Sequence, residues 1–178
     1  MHKIIGNLFM AIDGVVESPD KWSLSYWNDD IANVVMGGMQ NADALLLGRV
    51  TYEGFASAWP SRDGEFADKF NNMPKYVVSS TLKDPEWTNT TVLEGDLAEE
   101  VPKLRDSHDG DIAVHGSVQL VQALIDKDLV DALHLMVFPV VLGAGKQLFG
   151  ETGDKKTLKL TDSKTVGDGV SILVYEHA

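Results

Sequence analysis

Short apolar segments of strand length alternate with longer segments of helical periodicity along this chain, and this alternation is the strongest constraint on its fold. Apolar runs at residues 4–12, 44–47, 76–78, 112–114 and 132–142 predict strands. Helical spacing predicts helices at residues 28–40, 51–58, 65–72, 97–105 and 117–125. Such alternation favours a largely parallel central sheet with helices on both faces.

The chain ends in a different pattern. Residues 157–166 and 170–175 each alternate apolar and polar side chains, and Gly167-Asp168-Gly169 lies between them. Two alternating segments joined by a glycine-rich turn predict an antiparallel hairpin, which we place at the edge of the sheet. The predicted fold class is therefore α/β, with a mixed, mostly parallel sheet, and residues 1–178 are expected to form one domain.

Charge and composition exclude several classes of function. The 27 acidic residues outnumber the 15 basic ones, and the resulting net charge of −12 disfavours binding to nucleic acid or to anionic membranes. Cysteine is absent, which rules out thiolate chemistry, and the five histidines lack the spacing of metal ligands. No apolar run reaches the ~20 residues of a membrane helix, and the N-terminus does not resemble a secretory signal. We expect a cytoplasmic protein without a metal.

Glycine and hydroxyl residues follow several predicted strands. Gly48-Arg49-Val50-Thr51 opens a helix, where free N–H groups attract anions and Arg49 adds a planar cation. Ser79-Ser80 follows the next strand, and His115-Gly116-Ser117 opens another helix. The segment from Gly143 to Gly145 contains a Gly-x-Gly without the third glycine of a dinucleotide fingerprint. Each motif alone also fits an ordinary turn or helix cap, but together they indicate a phosphate-rich ligand.

Five stretches, residues 11–14, 43–53, 75–81, 112–117 and 131–145, together resemble the dihydrofolate-reductase-like superfamily. The pattern is most similar to the reductase domains of bacterial riboflavin biosynthesis and their stand-alone relatives. The resemblance implies a three-layer fold, a small-molecule substrate and NADPH as hydride donor. It assigns Gly48, Arg49, Thr51, Ser79 and Ser80 to the 2′-phosphate and its neighbouring phosphates, and Gly116 and Ser117 to the pyrophosphate. Gly143 and Gly145 are assigned to the cofactor as well.

Hydride reduction of a C=N or C=O group also requires a proton donor, for which a carboxylic acid is suited. In dihydrofolate reductases this acid lies on the first helix after a tryptophan-containing loop, and here Trp22 and Trp27 precede Asp29 and Asp30. Both aspartates also fit the solvated first turn of a helix. Asp13, in the Asp-Gly turn after the first strand, is the other candidate acid or a turn-forming residue.

The leading hypothesis is an NADPH-dependent reductase similar to the phosphoribosylaminouracil reductase of riboflavin biosynthesis. Ala11 stands where the family commonly has serine, which argues against a phosphoribosyl substrate. The alternatives are a dihydrofolate reductase and a nucleotide-binding module without catalysis. We also predict a homodimer, with the apolar stretch from Leu133 to Leu142 and the hairpin as its self-complementary surface.

Overall fold

The computed structural model of the protein describes residues 2–150 and 154–178. The strands in these residues are β1 (Ile4–Ala11), β2 (Ala42–Gly48), β3 (Lys75–Val78), β4 (Thr90–Leu93), β5 (Asp111–His115), β6 (Ala132–Phe138), β7 (Leu158–Val166) and β8 (Val170–His177). The helices are α1 (Asp29–Gly38), α2 (Arg49–Ala58), α3 (Glu65–Asn72), α4 (Leu97–Ser107) and α5 (Val118–Asp126). Two short 3₁₀ turns, Pro19–Lys21 and Leu24–Tyr26, lie between β1 and α1.

All eight strands form one sheet in the order β4-β3-β2-β5-β1-β6-β8-β7. The six strands from β4 to β6 are parallel, whereas β8 runs antiparallel to β6 and β7 runs antiparallel to β8. The predicted α/β class, the mostly parallel sheet and the C-terminal hairpin are thereby confirmed. The first strand of the chain lies in the interior of the sheet, between β5 and β6.

One face of the sheet packs against α4 and α5. The even-numbered residues of β1 point to this face, as do Ala44 and Leu46 of β2, because side chains alternate along a strand. Ile4, Leu8 and Leu46 from these strands lie in one cluster with Val101 of α4 and Val121 of α5. Each apolar side chain of this size contributes about 1.5–3 kcal/mol when it is fully buried, so this face provides a large part of the folding free energy.

The opposite face packs against the first three helices. Leu45 and Leu47 of β2 lie in a cluster with Tyr52 of α2 and Phe70 of α3. Nearer the hairpin, Ile31 of α1 packs on a separate cluster of β6 and β8 residues, namely Met136, Phe138, Val170 and Ile172. The helices therefore lie on both faces, as the alternation of strands and helices predicts.

Two strands differ from the sequence prediction. The apolar run 132–142 forms a strand only as far as Phe138, since Pro139 has no N–H group for the sheet. The chain then turns: the Val140 N–H donates to the Phe138 carbonyl at 2.8 Å, and the Val140 carbonyl accepts from the Ile12 N–H at 3.0 Å. The four-residue strand β4 is not predicted at all, because it is short and only its last two residues, Val92 and Leu93, are apolar.

The position of β6 also changes the interpretation of the predicted dimer surface. β6 pairs with β1 on one side and β8 on the other, so residues 133–138 of the predicted stretch are interior and do not form an exposed edge, whereas Val141 beyond β6 is 71 % exposed. The exposed edge of the sheet is β7, where Lys159–Thr165 are exposed. Self-association, which remains a prediction, therefore requires a surface other than β6.

Candidate functional site

The candidate site lies at the edge of the sheet where the parallel strands end. The connection from β2 leads toward β3 on one side, whereas the connection from β5 leads through α5 to β6 on the other side. β2 and β5 are neighbours, so their connections diverge and leave a crevice between Gly48 and Gly116. Ligands of parallel α/β sheets bind at such a divergence, which makes these two strand ends the first half of the site.

Hydrogen bonds hold the ends of β2 and β5 at a fixed spacing. The Gly48 N–H donates to Ser117 Oγ at 2.8 Å, and the Ser117 N–H donates to Thr51 Oγ1 at 3.0 Å. The Ser117 hydroxyl donates in turn to the His115 carbonyl at 3.2 Å. The resemblance assigns the hydroxyls of Thr51 and Ser117 to phosphate contacts, and the structure shows that both also form hydrogen bonds within the protein, Thr51 as an acceptor only. These bonds set the spacing of the crevice walls.

Glycine at positions 48 and 116 keeps this crevice open. A Cβ at Gly48 would lie 3.4 Å from the Ser117 side chain, and a Cβ at Gly116 would lie 3.3 Å from Thr51 Oγ1. Gly116 also has a φ of +52°, which disfavours any residue with a side chain. The two glycines therefore allow a ligand to approach the backbone closely.

The helices that begin at the crevice have bare N-termini. α2 and α5 have neither a side-chain cap nor an acidic residue in their first turn. The other three helices of the described residues each carry two acidic residues there: Asp29 and Asp30 in α1, Glu65 and Asp68 in α3, and Glu99 and Glu100 in α4. In a protein with a net charge of −12, the positive helix ends at the crevice are left without an internal anion.

A cation and two serines lie beside these helix ends. Gly48 and Val78 are register partners, so Arg49 and Ser79 directly follow neighbouring strands. Arg49 is about half exposed and forms a 3.2 Å ion pair with Glu53 one turn later in α2. Ser79 Oγ accepts from the N–H groups of Thr81 at 3.1 Å and Leu82 at 3.0 Å, and Ser80 is exposed. The Arg49 guanidinium and the Ser80 hydroxyl are both accessible at this corner.

The second half of the site is a polar pair in the middle of the sheet. Asn7 of β1 and His115 of β5 are register partners, and both are only partly buried although their strands are interior. The C-terminal end of α1 passes over them: a Cβ at Gly38 would lie 3.9 Å from Asn7 Oδ1. His115 Nε2 lies 2.9 Å from Met39 Sδ. Sequence reasoning missed Asn7, whose signal is a polar amide within the apolar run of β1.

Burial determines the protonation state of His115. Desolvation, with a smaller contribution from His134, lowers the pKa of His115 to about 4. His115 is therefore neutral near pH 7, where one ring nitrogen is a donor and the other an acceptor. Together with the Asn7 amide it offers uncharged hydrogen-bonding groups at the base of the crevice.

Aromatic side chains continue the site beyond Asn7. Phe9, two residues further along β1 on the same face, lies 6.4 Å from Trp27 and 5.3 Å from Phe138 between ring centroids. Trp22 and Tyr26 pack edge-on against Phe138 at 5.6 and 5.7 Å. Trp27 remains 46 % exposed, so one side of this cluster is open to a ligand.

Asp13 connects the loops that follow β1 and β6. Its Oδ2 accepts from the N–H groups of Leu142 at 3.1 Å and Gly143 at 2.8 Å, whereas its Oδ1 is buried without a hydrogen-bond partner among the described residues. Gly145, with a φ of +127°, allows the same loop to pass Val15, which a Cβ would approach to 2.6 Å. The structure therefore places Gly143 and Gly145 beside Asp13, on the β6 side of the site rather than at the crevice between β2 and β5.

Asp29 and Asp30, the other predicted acids, are exposed in the first turn of α1. Asn28 caps this helix by accepting from the Ile31 N–H at 3.0 Å. Both carboxylates follow the open aromatic cluster closely in sequence, because Trp27 precedes the cap. Neither lies in an apolar pocket.

The described residues, 2–150 and 154–178, have neither a metal-binding cluster nor a membrane-spanning helix. They contain no group of three or more His, Asp or Glu side chains arranged to hold a metal ion. No helix in these ranges has the length and apolar character needed to cross a membrane.

Comparison with protein families matches residues 2–172 to the model described as the RibD C-terminal domain. The chain belongs to the RibD C-terminal domain family. This reductase-type family confirms the resemblance seen in the sequence. The protein YyaP of Bacillus subtilis (strain 168) is similar to this family member, with 27 % identity over 98 % of the chain and 94 % of YyaP.

Solved structures show the same fold. A protein of Shewanella sp. PV-4 described as a riboflavin biosynthesis protein superimposes with a TM-score of 0.81 at 23 % identity, over 99 % of both chains. Dihydrofolate reductase from Enterococcus faecalis, in complex with NADP(H) and RAB-propyl, gives a TM-score of 0.65 at 17 % identity, over 98 % of this chain and 96 % of that one. The dihydrofolate-reductase-like fold of this RibD-family chain is therefore confirmed.

Proposed function

We propose that this protein is an NADPH-dependent reductase that transfers a hydride to a small heterocyclic, imine or carbonyl substrate. The observation that carries the proposal is the pair of bare helix N-termini on either side of the crevice between β2 and β5. A dinucleotide carries several phosphate charges, and these helix ends are the ones that no internal carboxylate neutralises among the helices described.

The crevice fits such a cofactor in three respects. Gly48 and Gly116 allow phosphate oxygens to reach backbone N–H groups, and the Ser117 and Thr51 hydrogen bonds maintain the required gap. Arg49 offers a planar cation that is suited to a 2′-phosphate, with Ser79 and Ser80 at the adjacent strand end. NADPH, when bound, supplies the hydride.

Asp13 is the proton donor that we favour among the three aspartates. Its Oδ1 is buried without a hydrogen-bond partner among the described residues, so a substrate group that reached it would supply the missing hydrogen bond, whereas Asp29 and Asp30 are solvated. The N–H groups of Leu142 and Gly143 fix the carboxyl orientation through Oδ2. Gly143 and Gly145, assigned to the cofactor by resemblance, shape the loop that holds this acid.

The proposal is tested by placing a charge where the cofactor phosphates would bind. Val50 is the second residue of α2 and is 74 % exposed, so Val50→Asp adds a carboxylate to the bare first turn without disturbing the core. An acidic residue there stabilises the helix by about 0.3–1 kcal/mol. The same charge repels phosphate and should weaken NADPH binding by roughly ten-fold or more.

Ser57→Asp is the matched control, because it adds the same charge at the other end of α2. Calorimetric titration with NADPH and thermal unfolding are measured for both variants. We expect Val50→Asp to lose affinity while its Tm holds or rises, and Ser57→Asp to keep its affinity. Unchanged NADPH affinity in a folded Val50→Asp variant would contradict the proposed cofactor site.

Activity is then followed as the loss of NADPH absorbance with candidate substrates. Turnover of small heterocyclic or imine compounds supports the proposed reductase. Turnover confined to dihydrofolate identifies a dihydrofolate reductase instead. Saturable NADPH binding without turnover on a broad panel identifies a nucleotide-binding module.

A further inference from the structure

The base of the crevice is accessible in the interior of the sheet, at strands β1 and β5. Residues in the interior strands of a large sheet are normally buried, yet Asn7 and Phe9 of β1 and His115 of β5 are all partly accessible. All three lie on the face covered by α1, and Gly38 at the end of this helix adds no side chain above Asn7. The gap therefore exposes one uncharged polar pair and one aromatic ring to the same space.

The shape and chemistry of these groups favour a planar ring. Trp27 and Phe9 lie 6.4 Å apart between centroids with ring planes inclined by 44°, and Trp27 keeps nearly half of its surface exposed. Aromatic faces bind planar heterocycles by stacking, which contributes about 1–3 kcal/mol per base in nucleic-acid complexes. Asn7 Oδ1 and His115 Nδ1 have no hydrogen-bond partner within residues 2–150 and 154–178, so they are free to bind the edge of such a ring.

Charge distinguishes the two halves of the site. The segment from Glu17 to Asp30, which carries Trp22 and Trp27, forms a rim with four carboxylates, from Glu17, Asp20, Asp29 and Asp30, against the ammonium group of Lys21. Lys146, whose backbone N–H donates to Glu17, adds one more positive charge. Asp29 and Asp30 follow Trp27 within three residues, so their Cα atoms lie within about 11 Å of it. The arginine of the site, Arg49, lies at the end of β2 on the other side of Gly116. A phosphate dianion on the substrate would face a net negative rim.

We infer that the substrate is a neutral or cationic planar heterocycle without a phosphate group, stacked on Trp27 and Phe9 with its edge on Asn7 and His115. This inference rests on the proposed reductase function and specifies its substrate class. The substrate is thereby separated from the cofactor by charge: the cofactor phosphates bind at the end of β2, and the ring without a phosphate binds at the α1 face of β1.

The test compares ring compounds that differ only by a phosphate. The pairs are uridine and uridine 5′-monophosphate, riboflavin and flavin mononucleotide, and 6-hydroxymethylpterin and its phosphate. Affinities are measured calorimetrically with saturating NADP⁺, which fills the cofactor half, and again without it. We expect the unphosphorylated member to bind at least about ten-fold more tightly in every pair that binds. The Asp29→Asn/Asp30→Asn double variant should narrow this difference.

Single substitutions test where the substrate ring binds. Trp27→Leu should lower the affinity for the unphosphorylated compound by roughly 5- to 100-fold, which corresponds to the loss of one stacking contact. Leu24→Ala is the matched control, because Leu24 is 65 % exposed in the same loop. Asn7→Leu replaces the amide with an apolar side chain of similar volume and should lower the affinity for the same compound by about ten-fold. NADP⁺ affinity should remain at the wild-type level in all three variants. An unchanged NADP⁺ affinity shows that a variant is folded.

The outcomes separate this inference from the proposed function. Equal or tighter binding of the phosphorylated members overturns the inference, as does an unchanged affinity in Trp27→Leu or the failure of all three rings to bind. NADP⁺ binding that persists in those cases leaves the cofactor site standing. If wild-type protein fails to bind NADP⁺, the proposed function is wrong, whereas the measurements without NADP⁺ still decide the ring preference.

Discussion

The side chain of Ser117 accepts a hydrogen bond from the backbone N–H of Gly48 at 2.8 Å, although the two residues are 69 positions apart in the chain. This contact joins the C-terminal end of β2 to the start of α5 across the diverging connections of the sheet. Ser117 has a left-handed backbone with a φ of 55°, which most residues disfavour. The crevice is therefore built from a residue that is held under backbone strain by its hydrogen bonds.

Replacing Ser117 with alanine should open this crevice. Gly48 loses its acceptor, and a lost hydrogen bond of this kind lowers the free energy of unfolding by about 0.5–1.5 kcal/mol. NADPH affinity should fall as well, because the spacing of the helix N-termini is no longer fixed. Denaturant unfolding and NADPH titration measure the two effects. Ser57→Ala, which removes an exposed hydroxyl from the end of α2, should change neither.

Arg49 should distinguish NADPH from NADH. A charge-assisted contact to the 2′-phosphate contributes roughly 1.5–3 kcal/mol, so Arg49→Ala should weaken NADPH binding by about ten- to a hundred-fold and leave NADH nearly unchanged. Glu53 competes for this guanidinium through the exposed 3.2 Å ion pair. Glu53→Gln should therefore tighten NADPH binding slightly. Equal losses for both cofactors in Arg49→Ala would assign Arg49 to the shared pyrophosphate.

Substitution of the three aspartates should separate the candidate proton donors. Asp13→Asn keeps an acceptor for the Leu142 and Gly143 N–H groups but removes the proton, so kcat should fall by roughly 10²–10⁴ at neutral pH with NADPH affinity nearly intact. Asp29→Asn and Asp30→Asn are measured alongside it by steady-state kinetics. A loss of this size in either of them, with full activity in Asp13→Asn, would move the proton donor to the first turn of α1.

Lys75 should give the protein an alkaline dependence of stability. Its ammonium is fully buried and donates to the carbonyls of Asn71, Met73 and Thr88 at 2.8–3.0 Å, with the Trp87 ring centroid at 4.2 Å. Burial lowers the pKa of Lys75 from 10.5 to about 8. Between these two pH values the unfolded chain binds the proton that the folded chain has released, so the free energy of unfolding rises with pH there.

The rise should amount to about 3 kcal/mol across that window, at roughly 1.4 kcal/mol per pKa unit. Below about pH 8 the lysine is protonated in both states and its burial cost is greatest. Denaturant unfolding at about pH 7 and about pH 10 measures the change. Lys75→Met should lack this rise whatever its overall stability, and a rise of equal size in the variant would contradict the assignment to Lys75.

Light scattering tests the predicted homodimer. The expected mass at micromolar concentration is twice the chain mass of 19.4 kDa. An unpaired edge strand such as β7 presents free backbone groups that favour pairing with another chain. A measured mass near that of one chain would contradict the prediction.

Local pattern predicted most of the fold. The helix at residues 65–72 agrees with α3 to the residue, and Gly167-Asp168-Gly169 does form the turn between β7 and β8. β4 was missed because an edge strand of four residues with only two apolar side chains gives a weak signal, and its strand geometry depends on pairing with β3. Pro102 lies inside α4, where it cannot donate the backbone hydrogen bond of an ordinary helical residue. The burial of its neighbours Val101 and Leu104 compensates for this loss.

The candidate site was predicted less completely. Glycines such as Gly48 and Gly116 were recognisable because their lack of a side chain is a property of the sequence. The hydrogen bonds that the hydroxyls of Thr51 and Ser117 form across the sheet were not predicted, because a sequence does not show which partner lies on the neighbouring strand. Asn7 was missed for the same reason: its partner His115 is 108 positions away, and only the register of β1 with β5 brings them together.

The central place of β1 has a consequence for the synthesis of the protein. β1 ends at Ala11, but its first neighbour, β5, begins at Asp111 and its second, β6, at Ala132. A ribosome that adds 5–20 residues per second therefore needs roughly 5–20 s between completing β1 and supplying a strand to pair with it. During that interval an apolar strand of eight residues waits unpaired on the nascent chain. The sheet can therefore close around β1 only after most of the chain has been made.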